Sequence, residues 1–279
     1  MQKNFKEQFI PLSLTALTFF ALCATLYVFI FLLNLFPTQQ KIDLALRKRD
    51  ILVGLTIYLK TSIDFAIFIG NLMRTNPGWK KRISIEVGTA VGNAVGTLLI
   101  LLVWNFFREV PLLMAIMIVI ASLVLLRMAE ESIEEFLQTQ NPNGKVHKAT
   151  SFLSQQLSFL NKIFKPILGK LIPNTNITNI RVMSFANLAF FSFTIPFILG
   201  LDDFAGYIPL FSIINVFGFA VGVFLGHMVL NLGLFLSPSR TVSLVKQPLI
   251  LIVGGLAFMG IALWGFYETF HIISKIFNL

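Results

Sequence analysis

The chain alternates long apolar runs with short polar connections. Apolar runs cover about 10–36, 51–73, 83–107, 110–127, 183–209, 212–236 and 247–270. Each reaches the 18 or so residues that mark a membrane span, since roughly 20 helical residues cross the hydrocarbon core. The pattern predicts seven transmembrane helices. The first run begins after Lys3 and Lys6 and meets no charge until Lys41. It is far longer than the roughly 7–15 apolar residues of a signal peptide, so it reads as a retained helix. Composition agrees: 56% of the 279 residues are hydrophobic and 13% are charged, against about 25% charged in soluble domains. The expected class is an all-α integral membrane protein, multi-pass, in a cell inner membrane or an organelle membrane.

The net charge of +9 does not point to nucleic acid, because the basic residues sit in the connections between spans. Counted on alternate sides of the membrane, Lys and Arg number 15 against 6. The positive-inside rule then puts the N-terminus in the cytoplasm and the C-terminus outside. The longest inside connection contains TSFLSQQLSFLNKIFKPILGKLI, residues 150–172. Leucine and phenylalanine recur there every three or four positions, with Lys162, Lys165 and Lys170 among them. Such a basic amphipathic helix is expected on the cytoplasmic membrane surface, as an anchoring connector or a docking element. The single cysteine, Cys23, can form neither an internal disulfide nor a multi-cysteine metal site. No phosphate-binding loop, HExxH or GxSxG appears, so no enzyme and no cofactor are expected.

The spans repeat. YLKTSIDFAIFIG (58–70) is matched by FILGLDDFAGYIP (197–209), each with an acid in mid-span. The following helices read VGTAVGNAVG (87–96) and FGFAVGVFLG (217–226), each with three glycines four apart. That spacing lines one helix face, where backbones can approach closely. A three-span unit is odd, so its two copies insert in opposite directions. The predicted organisation is an N-terminal helix and loop (1–50), repeat 1 (51–127), a cytoplasmic linker with its interfacial helix (128–182) and repeat 2 (183–279). The fold expected is thus one N-terminal helix plus two inverted three-helix repeats.

Asp64, Asp202 and Asp203 would then meet near the membrane midplane. A charge at a helix centre costs about 2.5–3.5 kcal/mol on insertion scales, and clustered carboxylates need a cation or protons. Pro209 adds to the pattern, because it leaves the carbonyl of Ala205 without its helical donor. Lys60 lies four residues before Asp64 and would share its face on a continuous helix, either as a structural ion pair or as part of a pathway. Ser62, Glu86 and Asn93 complete the candidate pathway residues, although Glu86 stands near the start of its span and could simply face the interface. Asn215 and Asn231 on the second glycine helix read as interhelical hydrogen bonding, and His227 alone makes no metal site.

At these residues the sequence resembles a known family. TSIDFAIFI (61–69) and GLDDFAGYIPLF (200–211) look like the two signature helices of the cadmium-resistance transporters, within the lysine-exporter superfamily. The resemblance covers about 51–127 and 183–270. It implies two inverted three-helix repeats and export of a divalent metal. By it, Asp64 and Asp202 match the family's acidic positions, and Asp203 falls where the family commonly has Asn. The chain departs from the family at Phe65, where a second acid is usual, and in its extra first helix.

The expected activity is secondary transport of a cation, most simply a divalent metal ion (Mn²⁺, Ca²⁺, Mg²⁺ or Cd²⁺). Asp64, Asp202 and Asp203 would be the metal ligands, the ion the substrate, and proton antiport the coupling. Oxygen ligands favour the harder ions of that set. The expected partners are the bilayer, the cation and protons, and the oligomeric state, a homo-oligomer included, stays open. Export of an organic cation or amino acid, and a non-transporting scaffold or assembly factor, are the alternatives.

Overall fold

The computed structural model describes the chain apart from residues 1, 39, 141–143, 172–183, 200–206 and 278–279. Side chains are also left undescribed at 2–8, 10, 11, 63, 64, 145, 165–171, 195–199, 238 and 245. Every regular element among the described residues is helical. In chain order these are α1 (Gln2–Leu33), α2 (Lys48–Thr61), α3 (Ile63–Thr75), α4 (Trp79–Phe107), α5 (Pro111–Gln138) and α6 (Lys145–Leu171). They continue with α7 (Phe185–Leu199), a 3-10 turn (Ile208–Ser212), α8 (Val216–Leu236), α9 (Pro238–Val245) and α10 (Pro248–Phe277).

Five helices are long and apolar enough to cross a membrane: Leu12–Leu33 of α1, then α4, α5, α8 and α10. A sixth crossing is formed if α2 and α3 count as one span, bent by 64° at their junction. The seventh predicted span, 183–209, is described only in part. Its helix α7 holds a shorter apolar stretch, Phe185–Thr194, and residues 200–206 lie outside the described set. The protein is therefore a multi-pass, all-helical membrane protein with five to six candidate spans among the described residues.

Two helix ends differ from expectation for identifiable reasons. The run 51–73 is not one helix. Thr61 and Ser62 bring hydroxyls that compete for the backbone, and Thr61 Oγ1 donates to the carbonyl of Tyr58 at 3.2 Å. Ser62 caps α2 with φ −86° and ψ 23°, and its N–H returns to Tyr58 O. Conversely, α5 runs past the predicted end at 127 to Gln138. Charge ends the membrane-compatible stretch there but not the helix, because RMAEESIEEFLQ is rich in helix formers. Arg127 and Glu131 pair at 3.0 Å one turn apart.

The chain divides into two compact units. The first comprises Met1–Leu102, Thr175–Asp203 and Ile214–Val245. Within it, α8 lies directly on α2. A Cβ added at Gly222 would stand 2.2 Å from the Ile51 carbonyl oxygen, and one at Gly54 would stand 2.1 Å from that of Phe219. Contacts advance together, from Gly218 at Asp50, through Gly222 at Ile51 and Leu55, to Gly226 at Tyr58, so the two helices run parallel. The other glycine helix behaves alike. Gly88 abuts Ala189 and Ser192, Gly92 meets the carbonyl of Phe193 at 2.2 Å, and α4 runs parallel to α7. Helix α1 also packs on α8, where Tyr27 and Phe217 meet edge to face at 6.1 Å.

The second unit comprises Val103–Asn174, Phe204–Ile213 and Lys246–Leu279. Here α5 and α10 pack antiparallel, with Gly255 against Ile133 and Gly265 against Ser122. The amphipathic helix forms as α6. Asn161 donates to the Leu126 carbonyl and to Glu130, and Phe164 packs on Leu123 and Val124. This register is antiparallel to α5, so one face of α6 is occupied by protein, while Phe152, Phe159 and Ile163 on another face stay exposed.

Close approach makes a sharp contrast between glycines. Gly222→Ala should destabilise the protein by about 1–3 kcal/mol, the usual cost of overpacking, because the obstructing atoms are backbone. Gly260→Ala on α10 meets nothing within 4 Å and should be neutral or stabilising by up to about 1 kcal/mol. Thermal unfolding of the purified variants in detergent checks both.

Candidate functional site

The sequence-predicted residues fall into two groups in the first unit. Lys60, Ser62 and Asp64 surround the break in the α2–α3 span. Lys60 lies in the last turn of α2 and is 8% exposed, and Ser62, at the junction, is 2% exposed. Asp64 is the second residue of α3, and its side chain is outside the described set, as are Asp202 and Asp203 entirely. Because the helix turns between Lys60 and Asp64, the continuous helix face expected to carry both is not there. Among the described residues no group of three His, Cys, Asp or Glu side chains could hold a metal ion.

Glu86 and Asn93 form the second group, on α4. Both are buried, at 2% and 1% exposure, so Glu86 does not face the interface as its place near the start of the span had suggested. Seven residues apart, they share a face with Thr89, and it is not the glycine face that meets α7. Thr15 of α1 donates to Glu86 Oε1. Glu86 Oε2 and Asn93 Nδ2 are buried with no hydrogen-bond partner among the described residues.

Sequence reasoning left Tyr58, Thr15 and Thr89 aside, read Asn231 as an interhelical hydrogen-bonding group and set His227 aside as no metal site by itself. The structure joins four of them in one buried chain across three helices. Tyr58 Oη and His227 Nδ1 are 2.6 Å apart, and Asn231 Nδ2 lies 2.9 Å from His227 Nε2. The same amide nitrogen reaches Thr89 Oγ1 at 3.4 Å, and Thr89 donates to the carbonyl of Glu86 at 3.0 Å. With Asn231 donating to Nε2, the imidazole carries its proton on Nδ1 and gives it to the Tyr58 oxygen. His227 also meets the Phe65 ring, centroid to centroid 5.7 Å. It therefore touches both halves of the broken span, α2 through Tyr58 and α3 through Phe65. The available signal was positional: His227 follows Gly226, and Gly226 lets Tyr58 approach to 2.9 Å of where a Cβ would stand.

A further acid escaped sequence reasoning. Asp50, in the first turn of α2, is fully buried beside Gly218. At that level both α2 and α8 begin, and Asn215 caps α8 by accepting from Gly218 N–H at 2.8 Å while donating to the Asp43 carbonyl. Two helix N-termini offer a buried carboxylate favourable dipoles, and Arg49 adds a contact at 3.4 Å. The other oxygen of Asp50, Oδ2, is buried with no hydrogen-bond partner among the described residues.

No protein-family model matches the chain, and no curated protein or solved structure is significantly similar to it.

Removing one member of the buried chain should cost more than removing a matched pair. Tyr58→Phe leaves the buried His227 Nδ1–H without its partner and should lower stability by about 1–3 kcal/mol. Tyr58→Phe combined with His227→Leu should cost measurably less than the two single changes added together. A double-mutant cycle on unfolding free energies reads the difference.

Proposed function

We propose that the chain is a secondary transporter that moves a cation by alternating access. The favoured cargo is a divalent metal ion (Mn²⁺, Ca²⁺, Mg²⁺ or Cd²⁺), bound in mid-membrane by Asp64, Asp202 and Asp203 and exchanged for protons. The observation that carries this reading is the break at Ser62. Broken spans are tolerated at membrane depth where the freed backbone lines a cavity, and ion sites of secondary transporters are built on such breaks. Here the break lies between a buried lysine and an acid, within one turn of each. The carboxylates would hold the ion when ionised and release it when protonated.

The inverted repeat is supported by the direction of packing. In two oppositely inserted three-span units, the acid helix of each unit runs the same way as the glycine helix of the other. Two units inserted in the same direction would set those pairs antiparallel. The α2–α8 and α4–α7 pairs are both parallel, and both meet at the repeated glycines. By this reading α2–α3, α4 and α5 form one unit, α7 with the segment after it, α8 and α10 the other, and α1 stands outside both. That organisation is the one the resemblance to the cadmium-resistance transporters implies.

Lys60 favours a second reading, export of an amino acid or other zwitterion. A buried lysine four residues before an acid, on either side of the break, would supply both charges that such a solute needs.

Flux into proteoliposomes tests the proposal, with Mn²⁺, Ca²⁺, Mg²⁺ and Cd²⁺ offered with and without a pH gradient. Asp64→Asn and Asp202→Asn should each lower flux at least tenfold while the protein stays folded. Flux unchanged by either would overturn the carboxylate site. No metal flux from the intact protein, with amino-acid flux lost in Lys60→Gln, would establish the second reading. No flux of either kind would leave a scaffold role as the remaining explanation.

A further inference from the structure

Helix α6 in the second unit has two apolar sides. Asn161 and Phe164 stand on the side turned to α5, and Leu157, one turn back on that side, is buried. Phe152, Phe159 and Ile163, seven and four residues apart, line the opposite side. They are 61%, 64% and 54% exposed. Lys148 and Lys162 stand along the edge of this stripe. The helix carries five lysines and no acid, and by composition it does not qualify as a membrane span.

The neighbours of α6 fix its depth. Helix α10 is long and apolar enough to cross a membrane, and it carries no charge from Pro248 to Tyr267. Its Gly255 meets α5 at Ala129, Ser132 and Ile133, and its Gly265 meets α5 at Ile118 and Ser122. Asn161 of α6 reaches Leu126 and Glu130 of the same helix, and Phe164 packs on Leu123 and Val124. Asn161 therefore stands within about one turn of Gly255 along α5, and Phe164 stands between the levels of the two glycines. Both glycines lie inside the uncharged run of α10. At the level of Gly255, α10 also exposes Val253 and Leu256, at 57% and 43%. A helix lying flat on the membrane surface would cross α5 at one place, whereas α6 follows it.

We propose that α6 is embedded in the membrane beside α5, with Phe152, Phe159 and Ile163 against lipid acyl chains. The turn from α5 marks the membrane surface, and the second half of α6 descends into hydrocarbon. Two observations favour lipid as the occupant. The stripe is level with the exposed apolar side of a membrane-crossing helix, and lysines without acids suit the phosphates of lipid head groups. Side chains on a helix lean toward its N-terminus, which here is the surface end. Lys148 and Lys162 can thus lay their methylene stems along the stripe and carry their ammonium groups toward the head groups. The inner side has a different task. Helix α5 brings Arg127, Glu130, Glu131 and Glu135 to these levels, and a charge at membrane depth needs a partner. Glu130 receives Asn161 Nδ2, Arg127 pairs with Glu131, and Lys246 pairs with Glu135. Helix α6 gives α5 a polar partner on one side and shows lipid an apolar surface on the other. The placement holds whether or not the protein moves a solute.

Depth is measured on the full-length protein in vesicles of phosphatidylcholine and phosphatidylglycerol. Cys23→Ser removes the native thiol, and single cysteines introduced on this background carry a nitroxide label. Collisions of the label with oxygen, which concentrates in hydrocarbon, are compared with collisions with a water-soluble nickel chelate. Labels at Phe159→Cys and Ile163→Cys should favour oxygen at least about threefold more than one at Lys148→Cys, because water is absent from the bilayer core. They should match a label at Val253→Cys on α10, and Phe152→Cys, nearer the surface, should fall between. Should either variant fail to fold, Leu160→Cys beside the stripe reads the same depth. A chelate preference at 159 and 163 equal to that at 148 would overturn the embedding. Labels shielded from both reagents would overturn it too, since a second copy or another protein would then cover the stripe.

Discussion

Backbone contact between α2 and α8 is the constraint on which the rest of the first unit depends. Lipid tails are as apolar as leucine, so the hydrophobic effect does not drive two helices together inside a bilayer. What remains is van der Waals contact and polar bonding, both of which require close approach. The α2–α8 seam obtains it from both sides, because Gly54 admits the Phe219 carbonyl and Gly222 admits that of Ile51. No side chain could be inserted at either position without pushing the axes apart. The seam holds α2 in place as far as Tyr58 at Gly226, and α2 ends one turn later.

That ending determines what the polar groups must do. The last of the described glycine contacts between α2 and α8 is the one at Tyr58. There His227 joins the chain to α8, by a hydrogen bond to one half of the broken span and a ring contact with the other. Polar bonds of this kind are directional and can be exchanged, whereas a glycine seam cannot slide without losing its fit. The first unit thus combines backbone contact and side-chain hydrogen bonding on the same pair of helices, and the second takes over near the break.

The features legible in the sequence were those with short-range causes. Glycines four apart require only helical geometry, and Gly88, Gly92, Gly218, Gly222 and Gly226 all stand where another helix comes close. The apolar runs gave the helices, because span length is set by bilayer thickness alone. The break at Ser62 was illegible, since Thr and Ser are common in membrane helices and only the surroundings decide whether their hydroxyls win the backbone. The extension of α5 was missed because hydropathy reports the membrane boundary and not the end of the helix. Partner choice was least legible: nothing local pairs Tyr58 with His227, 169 residues away, or Thr15 with Glu86. The acids at 202 and 203, which the sequence marks most strongly, lie outside the described residues.

Helix α1 changes meaning in this light. Read from sequence, it is an addition to a six-span core. In the structure it packs on α8 and supplies the hydroxyl that engages one oxygen of Glu86. A carboxylate in a membrane helix is held in one orientation only if something donates to it, and α4 and α8 offer Glu86 no side-chain donor among the described residues. Without Thr15, the carboxylate could rotate, and both its oxygens would be unsatisfied. The first helix therefore fixes the one described acid on α4 that meets no basic side chain. A simple anchor would not need a hydroxyl at that depth, and the bond from Thr15 makes α1 part of the buried core of the first unit.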